Sequence, residues 1–554
     1  MKMQAFQIGG RSSSFGHESR GRRGRRQGSA LRWVASVALA SGMALVTQAA
    51  TSTWDGGGPA PSWGWAANWS GDVVPPSAND VKFGTGWASG KTIGLGGFSR
   101  TARSLIFQNA YGVTLSGGVG SVLYPDGQQL SLTTGDIAAN GGGTITMDCK
   151  VYLGAPGDFN IGSGTVLHMK RPVTGSPKPV PNYFIHGGIW KDGDGELILD
   201  AINTFEGIVT VSDGKLTVAK TGALPYTVVW VHGQFYATPP ELHLNANVTA
   251  NLNYLLMDKE SLVSGPSTAK INIGAASLRD LAEVDVSLGG TGAVEIAESA
   301  EVIMHRPNTF TGKLKLEGSS TLTVDDDDCL GASANTVEVN GFAVLVVDDF
   351  EGLTTHARTL SVPAGSELQL GIKGDLNSKL VGAGAVVIMV DGTGTVDLDG
   401  NNSGFTGTFF SNKNIDVTSS NAFGDAERVV IENSRDIAFI EDIEAPGTDL
   451  ESSSGTVITL NNRDVFLDTL RIGSGTATTL QLSNDGVNGV LDLDDVLFVG
   501  STGSLNILGW VGNTLSSTGD EVRVSNTLSS SELARIKFNG QAVRQLNGEL
   551  VLKP

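Results

Sequence analysis

The chain reads as all-β, and within that class as a solenoid of stacked turns. Three observations point there: an imperfect repeat, short runs that alternate polar and apolar residues, and glycine spread along the whole length. The repeat is clearest from Asp192 to Leu224, DGDGELILDAINTFEGIVTVSDGKLTVAKTGAL. Altered copies lie near 292–332 and 392–425. Phe205, Phe310 and Phe405 align, each followed two residues on by a glycine: Gly207, Gly312 and Gly407. Asn203 and Asn308 precede the first two phenylalanines. Self-similarity of this kind implies stacked structural units.

The alternation supports strands independently. Lys313-Leu314-Lys315-Leu316, Thr321-Leu322-Thr323-Val324, Val396-Asp397-Leu398-Asp399 and Leu491-Asp492-Leu493-Asp494 each bury one face and wet the other. Turn residues recur between such runs, as tight corners require. Glycine supplies 74 of 554 residues, and charged residues only 17%. Strand spacing alone also fits a sandwich or barrel. The length, the repeat units and the lack of a long helical crossover pattern favour a solenoid with coils of roughly 20–25 residues.

Residues 1–50 read as a signal peptide. Eight Lys or Arg lie within 1–32 beside the single acid Glu18, an apolar run spans Trp33 to Val46, and small residues follow at Ala49 and Ala50. The apolar run is short for a membrane span, and no later run reaches that length. The full chain carries a formal charge of −19. Removing 1–50 takes away eight basic residues and one acid, leaving about −26, a charge that repels nucleic acid and anionic lipid. Cys149 and Cys329 are two isolated cysteines, not a disulfide framework.

Residues 51–100 form a Trp-rich region holding Trp54, Trp63, Trp65, Trp69 and Trp87. These aromatics suit either a sugar-stacking surface or a cap over the open end of a repetitive core. The cap is preferred, because repeat arrays need covered ends. The opening W-D-G-G-G, the W-A-A-N-W at Trp65–Trp69 and the P-P-S-A-N-D before Val81 resemble the start of bacterial surface proteins that carry autotransporter-associated β-strand repeats. The Asn-Thr-Phe-x-Gly units resemble the repeat itself, at Asn203, Thr204, Phe205 and Gly207, then Thr210, Val211, Gly214, Leu216 and Val218. The second copy matches at Asn308, Thr309, Phe310 and Gly312, and the third at Gly404, Phe405, Thr406 and Gly407. The resemblance implies a right-handed parallel β-helix on the cell surface or outside the cell. It implies no shared enzymatic activity.

On this reading 101–495 is the β-helix and 496–554 a C-terminal capping region. Within the latter, Ser529 and Glu532 make a capping box for one short helix before a last strand at Glu549–Leu552. This ending resembles the stretch just upstream of a Pro-Glu-Pro sorting tag in the same family, and the tag itself is not among these 554 residues. Ser163 to Trp190 contains Pro172, Pro177, Pro179 and Pro181 with His168, Arg171 and His186, which predicts a loop protruding from the stack.

The search for chemistry finds only weak candidates. Asp192-Gly193-Asp194-Gly195-Glu196 looks like part of a calcium loop but lacks the ligand spacing and flanking helices, so turn chemistry is preferred. Asp325, Asp326, Asp327 and Asp328 are the one candidate cation site, set against a solvated corner. Asp397 and Asp399 could share a strand face as a glycosidase pair. The histidines show no H-x-x-x-H spacing, no G-x-S-x-G elbow occurs, and Gly141-Gly142-Gly143 opens no helix after a strand. No cofactor is expected. The expected role is structural or adhesive, without catalysis, with extracellular polysaccharide or other surface proteins as partners. A carbohydrate-active β-helix enzyme or a polysaccharide-binding module is the alternative.

Overall fold

The computed structural model describes residues 50–552, apart from 85–87, 109–111, 119–127, 176–187, 234–238, 259–260, 349–351, 354–357, 390–393, 433, 454, 476, 483–488 and 510–520. The described chain is a parallel β-solenoid. It visits three faces in turn and climbs one strand per visit. Sixteen strands line the first face, from Thr51–Trp54 through Asp80–Phe83 to Gly404–Phe405. The second face starts at Thr92–Gly94 and continues beyond the first through Arg428–Ile431, Asp449–Ser452, Val465–Ile472, Val490–Phe498 and Glu521–Val524. Shorter sheets make the third face: five strands ending at Thr204–Phe205, three from Thr249–Leu252 to Ser287–Gly289, and a ladder from Gly352–Leu353 to Ile536–Phe538.

The alternation seen in the sequence becomes stacking along the axis. Val302, Leu322, Leu345, Leu370 and Ile388 occupy one column of the second face, each in register with the next. All five have no exposed surface. Burying such a side chain contributes about 1.5–3 kcal/mol, and a parallel ladder repeats that gain every rung. Outward positions carry the polar partners. Lys313 meets Glu338 at 2.9 Å, and Arg471 meets Asp449 at 2.6 Å, each on neighbouring rungs.

The repeat phenylalanines all point inward, Phe205 at 2%, Phe310 at 0% and Phe405 at 1% exposure. Two of the glycines that follow, Gly312 and Gly407, are sites of close backbone approach. A Cβ at Gly312 would lie 2.1 Å from the Gly292 carbonyl oxygen, and one at Gly407 would lie 1.8 Å from that of Gly384. Gly407→Ala is therefore expected to destabilise at or above the top of the roughly 1–3 kcal/mol typical of overpacking. The check is the urea midpoint, compared with Gly447→Ala, where an added Cβ meets nothing within 4 Å.

The third repeat copy sits on a different side from the first two. In copies one and two the asparagine corner follows a second-face strand, Glu196–Leu199 or Glu301–Met304, and precedes a first-face strand, Val209–Val211 or Leu314–Glu317. In copy three the corner follows the third-face strand Thr395–Leu398, Phe405 itself joins the first face, and Thr408–Ser411 continues on the second. The motif fixes a local corner and its neighbours, not a position around the axis.

One expectation for the chain's irregular parts changes. Ser163–Trp190 is not one protruding loop. Thr165–Met169 and Val173–Gly175 are strands of the stack, and only 176–187, with Pro177, Pro179, Pro181 and His186, lies outside the described residues. Pro172 precedes a strand, where its missing N–H costs no ladder bond. At the C-terminal end the parallel climb gives way to antiparallel pairing. Gln541–Leu546 pairs with Ile536–Phe538 and with Glu549–Leu552, and Glu549 also meets Arg523. This hairpin covers an edge that would otherwise be open to further pairing. The helix Ser530–Leu533 carries the expected capping box between Ser529 and Glu532. Among the described residues no helix is long and apolar enough to cross a membrane.

Candidate functional site

The acidic run Asp325–Asp328 does not converge on a cation. Three of its carboxylates, those of Asp325, Asp326 and Asp327, serve different partners where the chain turns into the short helix Asp327–Leu330. Asp325 is exposed and faces His305 Nδ1 at 3.1 Å, while Nε2 of the same ring faces Glu283 at 3.3 Å. Asp326 accepts from the backbone N–H of Cys329 at 3.1 Å and caps the helix. Asp327 turns inward to Arg358, whose Nε donates to its Oδ1 at 2.6 Å, and both side chains are essentially without exposed surface. Arg358 also donates to the Asp327 carbonyl at 2.8 Å and to Asn335 Oδ1 at 2.8 Å. Asn335 in turn donates to the Leu330 carbonyl at 2.7 Å. The candidate cation site is thus replaced by an internal arginine clamp. Among the described residues no group of three or more His, Cys, Asp or Glu side chains is arranged to hold a metal.

The Asp192–Glu196 turn is likewise filled from within. Lys191 is fully buried, and its ammonium donates to the carbonyls of Asp192, Gly193 and Asp213 at 3.1, 2.5 and 2.9 Å. Burial pushes its pKa down to about 8, against the opposing pull of Asp213, Asp192, Asp194 and Glu196.

The repeat asparagines are structural clamps. Asn203 accepts from the Val173 N–H at 2.7 Å and donates to the Ala223 carbonyl at 2.6 Å. Asn308 does the same with Leu288 N–H, at 2.7 Å, and the Cys329 carbonyl, at 2.5 Å. Asn402 repeats the pattern with Leu380 N–H and the Ala422 carbonyl, at 2.7 and 2.6 Å. Each therefore ties its own corner to the turn before and the turn after. Asn402 escapes the sequence alignment because one extra residue separates it from Phe405.

Of the tryptophans, Trp54, Trp63 and Trp69 are buried at 1%, 0% and 0% exposure. Trp54 and Trp63 each lie 5.1 Å, centroid to centroid, from Trp69, and all three pack on Phe83 beside the first strand. Buried indoles offer no face to a sugar, so the sugar-stacking reading fails for these three. Trp65 is 51% exposed, and Trp87 lies outside the described residues. A 440 Å³ cleft beside the cluster is lined by Trp54, Gly56, Pro59, Asn68 and Lys91, among others, with Lys91 its one charged group.

Asp397 has two aspartate neighbours along its column. It is opposite Asp416, and the pairing of Leu376 with Leu398 places Asp375 on its other side. Asp399 lies beyond the strand end and is exposed. The pKa values of Asp375 and Asp397 are raised by burial and then by neighbouring aspartate charge, and that of Asp416 by burial. A carboxyl whose folded pKa exceeds its unfolded value stabilises below the unfolded pKa and loses that contribution as pH rises through the folded one. Asp397→Asn is expected to stabilise the protein by about 0.5–1 kcal/mol at pH 7, where like charges oppose each other, and to lose this advantage near pH 3. Urea midpoints at the two pH values check it.

Cys149 and Cys329 are buried free thiols. Burial pushes both up to about 12. Neither is expected to react with a thiol reagent at pH 8 in the native protein, and both are expected to react in urea, as a colorimetric thiol titration would record.

This geometry defines a parallel β-solenoid whose buried polar groups bind rung to rung. Compared with family models, curated proteins and solved structures, the chain matches none.

Proposed function

We propose that the chain is an exported solenoid with a structural or adhesive role at the cell surface or outside the cell. The observation that carries this reading is the ladder itself: parallel rungs tied together by buried side chains, with polar side chains set outward and paired between neighbouring rungs. Such a surface supports multivalent contact along its length. The basic-then-apolar segment 1–50 and the resemblance to autotransporter-associated repeat proteins support export.

The test is fractionation of the native cells with protease shaving and N-terminal sequencing. The expected result is a chain starting near Thr51 and accessible from outside. An intact N-terminus in the cytosolic fraction would overturn the reading. A second reading, a carbohydrate-active enzyme, draws on the Asp375, Asp397 and Asp416 column. Release of reducing ends or unsaturated products from a polysaccharide panel would favour it over the first.

A further inference from the structure

The cleft beside the N-terminal cap holds backbone and charged groups that nothing inside the protein pairs with. Its volume is 440 Å³, and Trp54, Pro59, Pro61, Lys91 and Thr92 are among its walls. The backbone pattern explains the opening. Gly94 donates to the Pro61 carbonyl at 3.0 Å and accepts from the Trp63 N–H at 2.7 Å. Residues 61–63 thus run as one more rung beside Thr92–Gly94. Alternate residues of a parallel strand turn their N–H and carbonyl to the same side. Thr92, two residues before Gly94, therefore faces this rung, while the Lys91 carbonyl turns away to accept from the Thr114 N–H at 2.9 Å. The residue opposite the Thr92 carbonyl is Pro61, which has no N–H to give. The Thr92 N–H and carbonyl have no hydrogen-bond partner among the described residues, and both are left to the cleft.

Lys91 adds a charge. It is the one charged group lining the cleft, and its ammonium makes no ion pair among the described residues. Two acids of the same region are engaged elsewhere. Asp80 holds Arg103 and Ser104, and Asp55 accepts from the Gly57 N–H at 3.2 Å. Residues 51–108 carry four Lys or Arg and three acids, within a mature chain of about −26. This stretch does not share the net repulsion that the chain as a whole presents to an anion.

We infer that this cleft binds one uronic acid unit carried by an otherwise neutral glycan. The inference rests on the adhesive reading and names its site. A uronate sets a carboxylate and neighbouring hydroxyls on one ring. Lys91 meets the carboxylate in a charge-assisted hydrogen bond. Hydroxyls both donate and accept, so they serve the Thr92 N–H and carbonyl together. Pro59 and Pro61 offer apolar surface to the ring C–H groups. Trp54, 1% exposed, closes the wall without presenting a stacking face. The volume lies at the lower end of small-ligand pockets. An added peptide strand fits less well, because strand addition draws its affinity from a run of main-chain bonds and Gly94 is already taken. A polyuronate is disfavoured, because its further carboxylates would meet the acidic remainder of the chain.

Saturation-transfer NMR titration of the full mature chain with methyl glucuronide, methyl glucoside, acetate and an N-acetylated dipeptide acid tests the site. Glucuronide binding with a Kd of about 1 mM or tighter is expected, with the glucoside and acetate each about tenfold weaker or more. Lys91→Met is expected to weaken glucuronide about tenfold or more, and Lys91→Arg to stay within about threefold of wild type. Pro61→Ala supplies the missing N–H to the Thr92 carbonyl and is expected to weaken glucuronide about threefold or more. Lys170→Met, exposed and outside the cleft, is expected to leave binding unchanged. Matching urea midpoints exclude misfolding as the cause. Glucuronide binding that survives Lys91→Met overturns this site while leaving glycan adhesion standing. Equal binding of acetate or the glucoside, tighter binding of the dipeptide acid, or no glucuronide binding also overturns it. The export test above is independent of all these outcomes.

Discussion

Arg358→Met is expected to lower stability by about 3–5 kcal/mol, because it leaves the Asp327 carboxylate buried without its partner. The guanidinium makes three hydrogen bonds of 2.6–2.8 Å, to Asp327 Oδ1, the Asp327 carbonyl and Asn335 Oδ1, and neither charged side chain reaches solvent. A weak surface ion pair would not behave this way, since truncating one partner there leaves the other in water. The double variant Arg358→Met/Asp327→Leu removes both charges and is expected to recover much of the loss. Urea unfolding of the wild type, both single variants and the double variant checks this. A single-variant loss under about 1 kcal/mol would show that water reaches the pair.

Asn402→Ala is expected to cost about 2–6 kcal/mol, the sum of two buried backbone groups left unsatisfied at roughly 1–3 kcal/mol each. The Leu380 N–H and the Ala422 carbonyl lose their partner together. Asn401→Ala, one residue away and exposed, is the control and is expected to stay within about 0.5 kcal/mol. Hydrogen exchange at the Leu380 amide provides the local readout. It should quicken in Asn402→Ala and hold in Asn401→Ala.

The fold class was legible because strand alternation and corner glycines are local signals, and a parallel stack repeats them without long-range exceptions. Gly312 and Gly407 illustrate this, since each marks a corner both in the sequence and in space. The buried clamps were less legible. Asp327 and Arg358 are 31 residues apart and meet only because the stack brings successive turns together. In the sequence Asp327 is one of four equal acids, and nothing local singles it out to turn inward. The alignment of Trp190 with Trp230 on the first face was hidden for the same reason. Trp190 and Trp230 lie in separate stretches, and only the register through Thr210 aligns them. Conversely, the conspicuous cluster Trp54, Trp63 and Trp69 suited a sugar-binding surface as well as the preferred cap, and packing took it inside. Density of aromatics in a sequence does not distinguish a surface from a core.

The shifted third repeat bears on how such a chain can lengthen. One asparagine corner with its flanking strands keeps its hydrogen bonds on either of two sides of the stack. The unit that can be duplicated or lost is therefore a single side with its corner, smaller than a full rung. Adding one such side preserves the core columns beneath it but redirects every later loop by about a third of the circumference. A modest change in chain length can thus re-aim a whole row of surface contacts while the interior stays the same.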